Sequence, residues 1–198
     1  YQDLNGWANQ IAHYYLSIGL NKGDVATVII ENRAELIATV IALAKIGVTS
    51  ALVNTSQTGK VLCHSINLVN PVAIIVGEEC REAVDEIRQD LNIAPNRFYW
   101  FADQPTQQDK GTAPEGFQNL AEVVDQFPKF NVPTTHKVQG SDGLFYIYTS
   151  GTTGLPKAVI FTNSRWTLAY GTYGHILNLK EDDVMYCTLP LYHATGMV

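Results

Sequence analysis

Basic residues are scarce in this chain: lysine and arginine number 13 against 19 aspartates and glutamates, a net charge of -6. That balance, with an isoelectric point near 5.3, argues against a nucleic-acid binder, which normally shows a basic face. No run of Lys and Arg accompanies the aromatic residues. Cysteine is scarce as well. Cys63, Cys80 and Cys187 are odd in number and widely spaced, which predicts reduced thiols in a cytosolic protein and shows no metal-ligand spacing. Long apolar runs are missing. The most apolar stretch, Leu36 to Ala44, stops at Lys45, well short of the ~18 residues a membrane span needs. Neither an internal repeat nor a low-complexity tract is visible.

What is present predicts a soluble globular protein. The 198 residues, 46% of them hydrophobic, can bury a real core in one or two domains. The sequence opens at Tyr1, without methionine, directly into a helical pattern, and it closes on Gly196-Met197-Val198. Both ends lead us to expect a piece of a longer protein.

Short apolar strands alternate with amphipathic helices. Leu4, Trp7, Ala8, Ile11, Ala12, Tyr15 and Leu16 recur at helical spacing, with Asp3 placed to cap and Gly19 to terminate. Strands are predicted at Val25–Ile30, Ser50–Val53, Val72–Val76, Phe98–Phe101, Leu144–Tyr148, Ala158–Thr162 and Val184–Leu189. Helices are predicted at Ala34–Lys45 (capped by Asn32), Thr58–Leu68, Glu79–Leu91, around Leu120 to Phe127, and from Asn163 to about Leu177. Residues 102–118 and 128–140 read as irregular. This alternation predicts an α/β fold, a mainly parallel sheet with helices on both faces. We expect an N-terminal α/β subdomain over 1–140 and the start of a second subdomain over 141–198.

The most informative segment is Thr149-Ser150-Gly151-Thr152-Thr153-Gly154-Leu155-Pro156-Lys157. Small residues let a backbone approach a ligand closely, successive N–H groups can point at one anion, and a lysine supplies charge. These are the parts of a loop that wraps polyphosphate. It is not a Walker A loop, which needs glycine before the lysine and a helix after it. Here Pro156 precedes Lys157, and Ala158-Val159-Ile160-Phe161 favour strand. A plain Gly- and Thr-rich hairpin connection is the bland alternative. In open α/β sheets ligands collect beyond the carboxyl ends of strands. This loop leaves such an end, and Pro190-Leu191-Tyr192-His193 is a second candidate lip of the same cleft.

The T-S-G-T-T-G-L-P-K core resembles the AMP-binding signature of the adenylate-forming superfamily, and Leu189-Pro190-Leu191-Tyr192-His193 is similar to its downstream aromatic–histidine motif. Leu4 to Gln10 and Gly23-Asp24-Val25 follow the same habit. Tyr146-Ile147-Tyr148, Glu31-Asn32-Arg33 and Ala51 to Thr55 look most like the very-long-chain acyl-CoA synthetase and fatty acid transport protein branch. The resemblance implies part of the large N-terminal domain of an acyl-CoA synthetase-like fold. It also implies ATP-dependent activation of a long- or very-long-chain fatty acid to acyl-adenylate, then thioester formation with coenzyme A.

By the same resemblance, Thr149, Ser150, Gly151, Thr152, Thr153 and Gly154 would bind the β- and γ-phosphates of ATP, and Thr149 would also contact Mg2+. Lys157 would add a cation near the leaving pyrophosphate, and His193 would lie near the acyl carboxylate and the α-phosphate. His13, His64, His136 and His175 have no such support and read as structural or solvated. Tyr148 and Tyr192 suit core packing as well as substrate contact. Glu78, Glu79, Glu181, Asp182 and Asp183 read as solvated or capping acids.

The family's adenine motifs, second magnesium ligand and C-terminal lid lie beyond Val198, so the fragment is expected to be inactive alone. A cytoplasmic location is expected, with peripheral contact at the inner face of a membrane. The rivals are a ligase for another carboxylic acid and a non-catalytic lipid-uptake module; a P-loop phosphotransferase is disfavoured by Pro156.

Overall fold

The computed structural model describes residues 1–103, 110–149 and 154–197. Seven strands form one sheet: β1 Val25–Ile29, β2 Thr49–Leu52, β3 Ala73–Gly77, β4 Phe98–Phe101, β5 Gln118–Asn119, β6 Gly143–Thr149 and β7 Lys157–Thr162. Their spatial order is β5-β4-β3-β1-β2-β6-β7. Every neighbouring pair is parallel except β6 and β7, which form an antiparallel hairpin. The expected mainly parallel α/β sheet is therefore present.

Helices cover both faces. α1 (Gln2–Ser17), α2 (Ala34–Lys45), α5 (Leu120–Val123) and α6 (Asn163–Ile176) join one apolar cluster; α3 (Gly59–Asn67) and α4 (Arg81–Asp85) join another. A short helix, α7, spans Ala194–Met197. The strands feed the two clusters alternately. In β3, Ala73 and Ile75 enter the first and Ile74 and Val76 the second; in β4, Tyr99 and Phe101 enter the first and Phe98 and Trp100 the second. A strand buried on both faces needs apolar residues at every position, which is why these segments read as continuous apolar runs.

Most boundaries fall within a residue or two of expectation, and Gly19, at φ +87, turns the chain out of α1 as its sequence position suggests. The irregular strap after α5 is tied to α1 by two buried amides. Asn9 donates to the Lys129 carbonyl at 2.7 Å, and Gln10 reaches the carbonyls of Val124, Asp125 and Phe127.

Three expectations need correction. The helix expected over Glu79–Leu91 is broken into a 3-10 turn at Glu78–Cys80, α4, and a second 3-10 turn at Arg88–Asp90. Val84, Ile87 and Leu91 are still buried. α4 ends at Asp85, and Arg88 opens the second 3-10 turn; its guanidinium lies 4.3 and 4.1 Å from the ring centres of Phe98 and Phe117 and donates to the Gly116 carbonyl. Cation–π and hydrogen-bond contacts there compete with helical continuation.

The strand expected at Val184–Leu189 is irregular. Val184, Met185 and Tyr186 are 94%, 67% and 92% exposed. A strand forms only against a partner edge, and none among the described residues lies alongside. The expected caps, finally, are misplaced: Asn32 does not cap α2, whose N-cap is Arg33 without a side-chain bond, and Asp3 lies within the first turn of α1, whose N-cap is Tyr1.

Candidate functional site

β2 and β6 are register-matched parallel neighbours, with Ser50 opposite Phe145 and Leu52 opposite Ile147. Their carboxyl ends therefore open together. A pocket of about 370 Å³ lies there, floored by Leu52 and walled by Tyr148, Thr149, Gly154 and Pro156 on one side. Tyr192 and His193 supply the opposite lip, and Asn54 and Gln57 come from the loop after β2. Two segments more than thirty positions apart in sequence, expected as two lips of one cleft, thus share one pocket.

Thr149 and Lys157 are opposed residues at the open end of the β6–β7 hairpin. Both are exposed, as is Gly154, which adopts φ +87. That left-handed conformation is one a side chain disfavours, so glycine is required where the loop turns towards β7. Ser150, Gly151, Thr152 and Thr153, the expected phosphate-binding centre of the loop, lie outside the described residues. Lys157 opens not onto the Thr149–His193 pocket but onto an adjoining hollow of about 590 Å³, with His64, Asn70 and Tyr146. Pro156 forms a wall of both cavities.

The outgoing and incoming limbs of the hairpin are both fastened to α3. The His64 imidazole Nε2–H donates to the Pro156 carbonyl at 3.1 Å, and the Tyr148 hydroxyl donates to the Ser65 carbonyl at 2.7 Å. Burial pushes the Tyr148 phenol well above its ordinary pKa. It therefore stays a neutral donor, committed to α3, while its ring faces the pocket.

On the far lip, His193 Nδ1 accepts from the Thr195 amide at 3.3 Å and lies 3.2 Å from the Thr195 hydroxyl. With Nδ1 engaged by that backbone N–H, Nε2 is the ring nitrogen left for other partners. The arrangement brings an imidazole and the Thr149 residue to one pocket of about 370 Å³.

Asn54 and Gln57 were not singled out from sequence. Gln57 Oε1 is buried beside the pocket with no partner among the described residues. Their signal was positional: a polar run, Asn54 to Thr58, directly follows a strand on its carboxyl side.

The other expected placements can be stated briefly. His13 Nε2–H donates to the Phe130 carbonyl, and its ring stacks edge-on with Phe130, away from the pocket. His175 lines a separate apolar groove of about 1290 Å³ between α2, α6 and β6. Glu78 accepts from the Trp100 indole and Glu79 from the Glu31 amide, so both acids have structural partners. No three His, Cys, Asp or Glu residues converge as a metal site among the described residues, and none of the described helices is long and apolar enough to cross a membrane.

Fold and site together define a helix-covered α/β protein with a pocket where a β-hairpin meets a histidine-bearing turn. The chain belongs to the AMP-binding enzyme family, which it matches over residues 1–198. It is 34% identical to long-chain fatty acid transport protein 1 of Rattus norvegicus over 203 residues, covering 100% of this chain and 30% of that protein. It is likewise 34% identical to the medium/long-chain-fatty-acid–CoA ligase FadD6 of Mycobacterium tuberculosis, with the same shares covered. The chain thus spans about 30% of the length of these curated relatives.

Among solved structures, the N-terminal domain of FACL13 from Mycobacterium tuberculosis superposes with a TM-score of 0.80 at 22% identity, over 98% of this chain and 45% of that one. The anthranilate CoA ligase AuaEII in complex with anthranoyl-AMP gives 0.83 at 20% identity, over 98% and 36%. These likenesses establish the fold as that of the N-terminal domain of acyl-CoA synthetase-like ligases.

Proposed function

We propose that this chain is the N-terminal part of a fatty acid–CoA ligase, acting on long- or very-long-chain acids, and that it carries the phosphate-binding half of the active site. The observation that supports this reading best is the shared pocket of Thr149, Gly154, Tyr192 and His193 at the carboxyl ends of β2 and β6. The names of the relatives, a fatty acid transport protein and a fatty-acid–CoA ligase, support the substrate class. In this reading residues 141–198 begin the subdomain that carries the loop, and the lid domain belongs to the rest of the protein.

The chemistry has two balanced steps. A carboxylate oxygen attacks the α-phosphorus of ATP, the bond to the bridging oxygen breaks, and pyrophosphate leaves with the electron pair. The thiol of coenzyme A then loses its proton to solvent and attacks the acyl carbon, and AMP departs with the carbon–oxygen electron pair. Positioning and electrostatic stabilisation dominate such transfers. Thr149 and Ser150 to Gly154 bind the β- and γ-phosphates, Lys157 neutralises charge on the departing pyrophosphate, and His193 donates to the acyl carboxylate or the α-phosphate.

Magnesium retains water and takes most of its ligands from nucleotide phosphates, so one exposed hydroxyl, that of Thr149, fits the protein's share. When bound, it offsets phosphate charge. A fatty acid substrate also supports a cytoplasmic protein in peripheral contact with the inner face of a membrane.

The test is Lys157→Ala in the complete protein, read by fatty-acid-dependent exchange of pyrophosphate into ATP. Loss of one charge-stabilising group of this kind costs about a hundredfold. Unchanged exchange would sink the role given to the loop. Residues 1–198 alone are expected to make no acyl-CoA from ATP, fatty acid and coenzyme A.

A further inference from the structure

The lip that carries His193 has little regular structure of its own. Residues 184–188 are irregular and Leu191 to His193 form a turn before α7. Something else must set where that turn sits. Asn32, just after β1, spends its whole side-chain amide on it. Its Nδ2–H donates to the Leu189 carbonyl at 2.8 Å, and its Oδ1 accepts from the Leu191 amide at 2.8 Å. The two bonded groups flank Pro190, which has no N–H to offer. Flipping the amide would set donor against donor and acceptor against acceptor, so the pair of bonds fixes its orientation.

The far end of the clamp is rigid. β1 is a central strand paired on both sides, and Arg33, the next residue, donates to the carbonyls of Ala102 and Phe101 and pairs with Glu79 at 3.3 Å. Downstream, the Pro190 carbonyl accepts from the His193 amide at 3.0 Å. A continuous path of hydrogen bonds therefore runs from the β1–α2 corner through the Leu189–Leu191 backbone to His193.

We propose that Asn32 is a positioning residue for His193, holding the histidine lip at the correct distance from the loop lip. The inference rests on the adenylation reading, since His193 has a task only there. Thr149 to Lys157 belong to the other lip and have no bond to Asn32 among the described residues. The effect should therefore fall on the chemical step and not on ATP binding.

The experiment is a double-mutant cycle in the complete protein, with fatty-acid-dependent pyrophosphate exchange as the assay. Asn32→Leu is expected to lower kcat about tenfold, the loss of two partly solvated hydrogen bonds, with KM for ATP within about twofold of the parent. In a His193→Ala background the same substitution is expected to change kcat by less than about twofold, because residues acting as a unit are non-additive. Asn32→Ala, which removes both bonds without adding bulk or charge, serves the same cycle if the leucine variant does not fold. Additive losses, or a raised KM for ATP at unchanged kcat, overturn the inference and leave the adenylation reading standing. An inert Lys157→Ala overturns the reading itself.

Discussion

The attachment of the loop to α3 is the most direct thing to break. His64→Leu removes the Nε2 donor to Pro156, and Tyr148→Phe removes the hydroxyl donor to Ser65, each without opening a large cavity. The bonds measure 3.1 and 2.7 Å and are partly buried. A hydrogen bond of this kind is worth about 1 kcal/mol net, or about fivefold in a local equilibrium. Both attach to the same helix, so together they should be worth up to about 2 kcal/mol if independent and less if they share strain.

The assay is amide hydrogen exchange in the complete protein, read at Gly154, Leu155 and Lys157. Local opening sets exchange there. Each single variant is therefore expected to accelerate exchange about fivefold, and KM for ATP should rise by a similar factor because the loop must be ordered on binding. Core amides of β1 and β3 should be unaffected. Exchange at all three loop amides within about twofold of the parent, in a variant that stays folded, refutes the idea that α3 holds the hairpin limbs.

Other consequences are smaller in scale. Tyr15 is fully buried, and its hydroxyl has no partner among the described residues. Tyr15→Phe should therefore raise unfolding stability by about 1 kcal/mol in urea titration, and a destabilised variant would show that the hydroxyl is bonded. The Gln139 amide at 2.6 Å and the Lys22 ammonium at 2.7 Å hold the Asp142 carboxyl below its ordinary range. A depressed folded pKa gives stability that is present above the unfolded value, near 4, and is lost as pH falls through the folded value. The parent should accordingly exceed Asp142→Asn in stability at neutral pH, with the gap closing in acid; a gap that does not change with pH argues against the pair.

Much of the fold was legible because strands buried on both faces demand unbroken apolar runs, and Val25 to Ile29 or Phe98 to Phe101 leave little room for another reading. The two lips were legible for a different reason: Gly154 and Pro156 punctuate the hairpin, and Tyr192-His193 closes the chain's last apolar run. What sequence could not carry was partnership. Val184 to Leu189 has strand composition, yet composition supplies no edge to pair with. Glu79 to Leu91 has a helical face, but the pull of Phe98 and Phe117 on Arg88 comes from residues distant in sequence. Asn32 shows the same limit most clearly. Its place before a helix suggests a cap, whereas its bonds go to carbonyl and amide groups 157 and 159 positions away.

The lone antiparallel pairing in the sheet has a mechanical meaning. Because Thr149 stands opposite Lys157 in the β6–β7 ladder, the two ends of the loop are separated by a single rung, set by backbone hydrogen bonding and not by the loop's own conformation. Whatever the segment between them binds, its footprint on the protein is therefore set by that rung. A crossover helix to a parallel strand would have put the two ends at opposite ends of the strands. The ladder acts as a handle of fixed width, with Thr149 and Lys157 as its two posts.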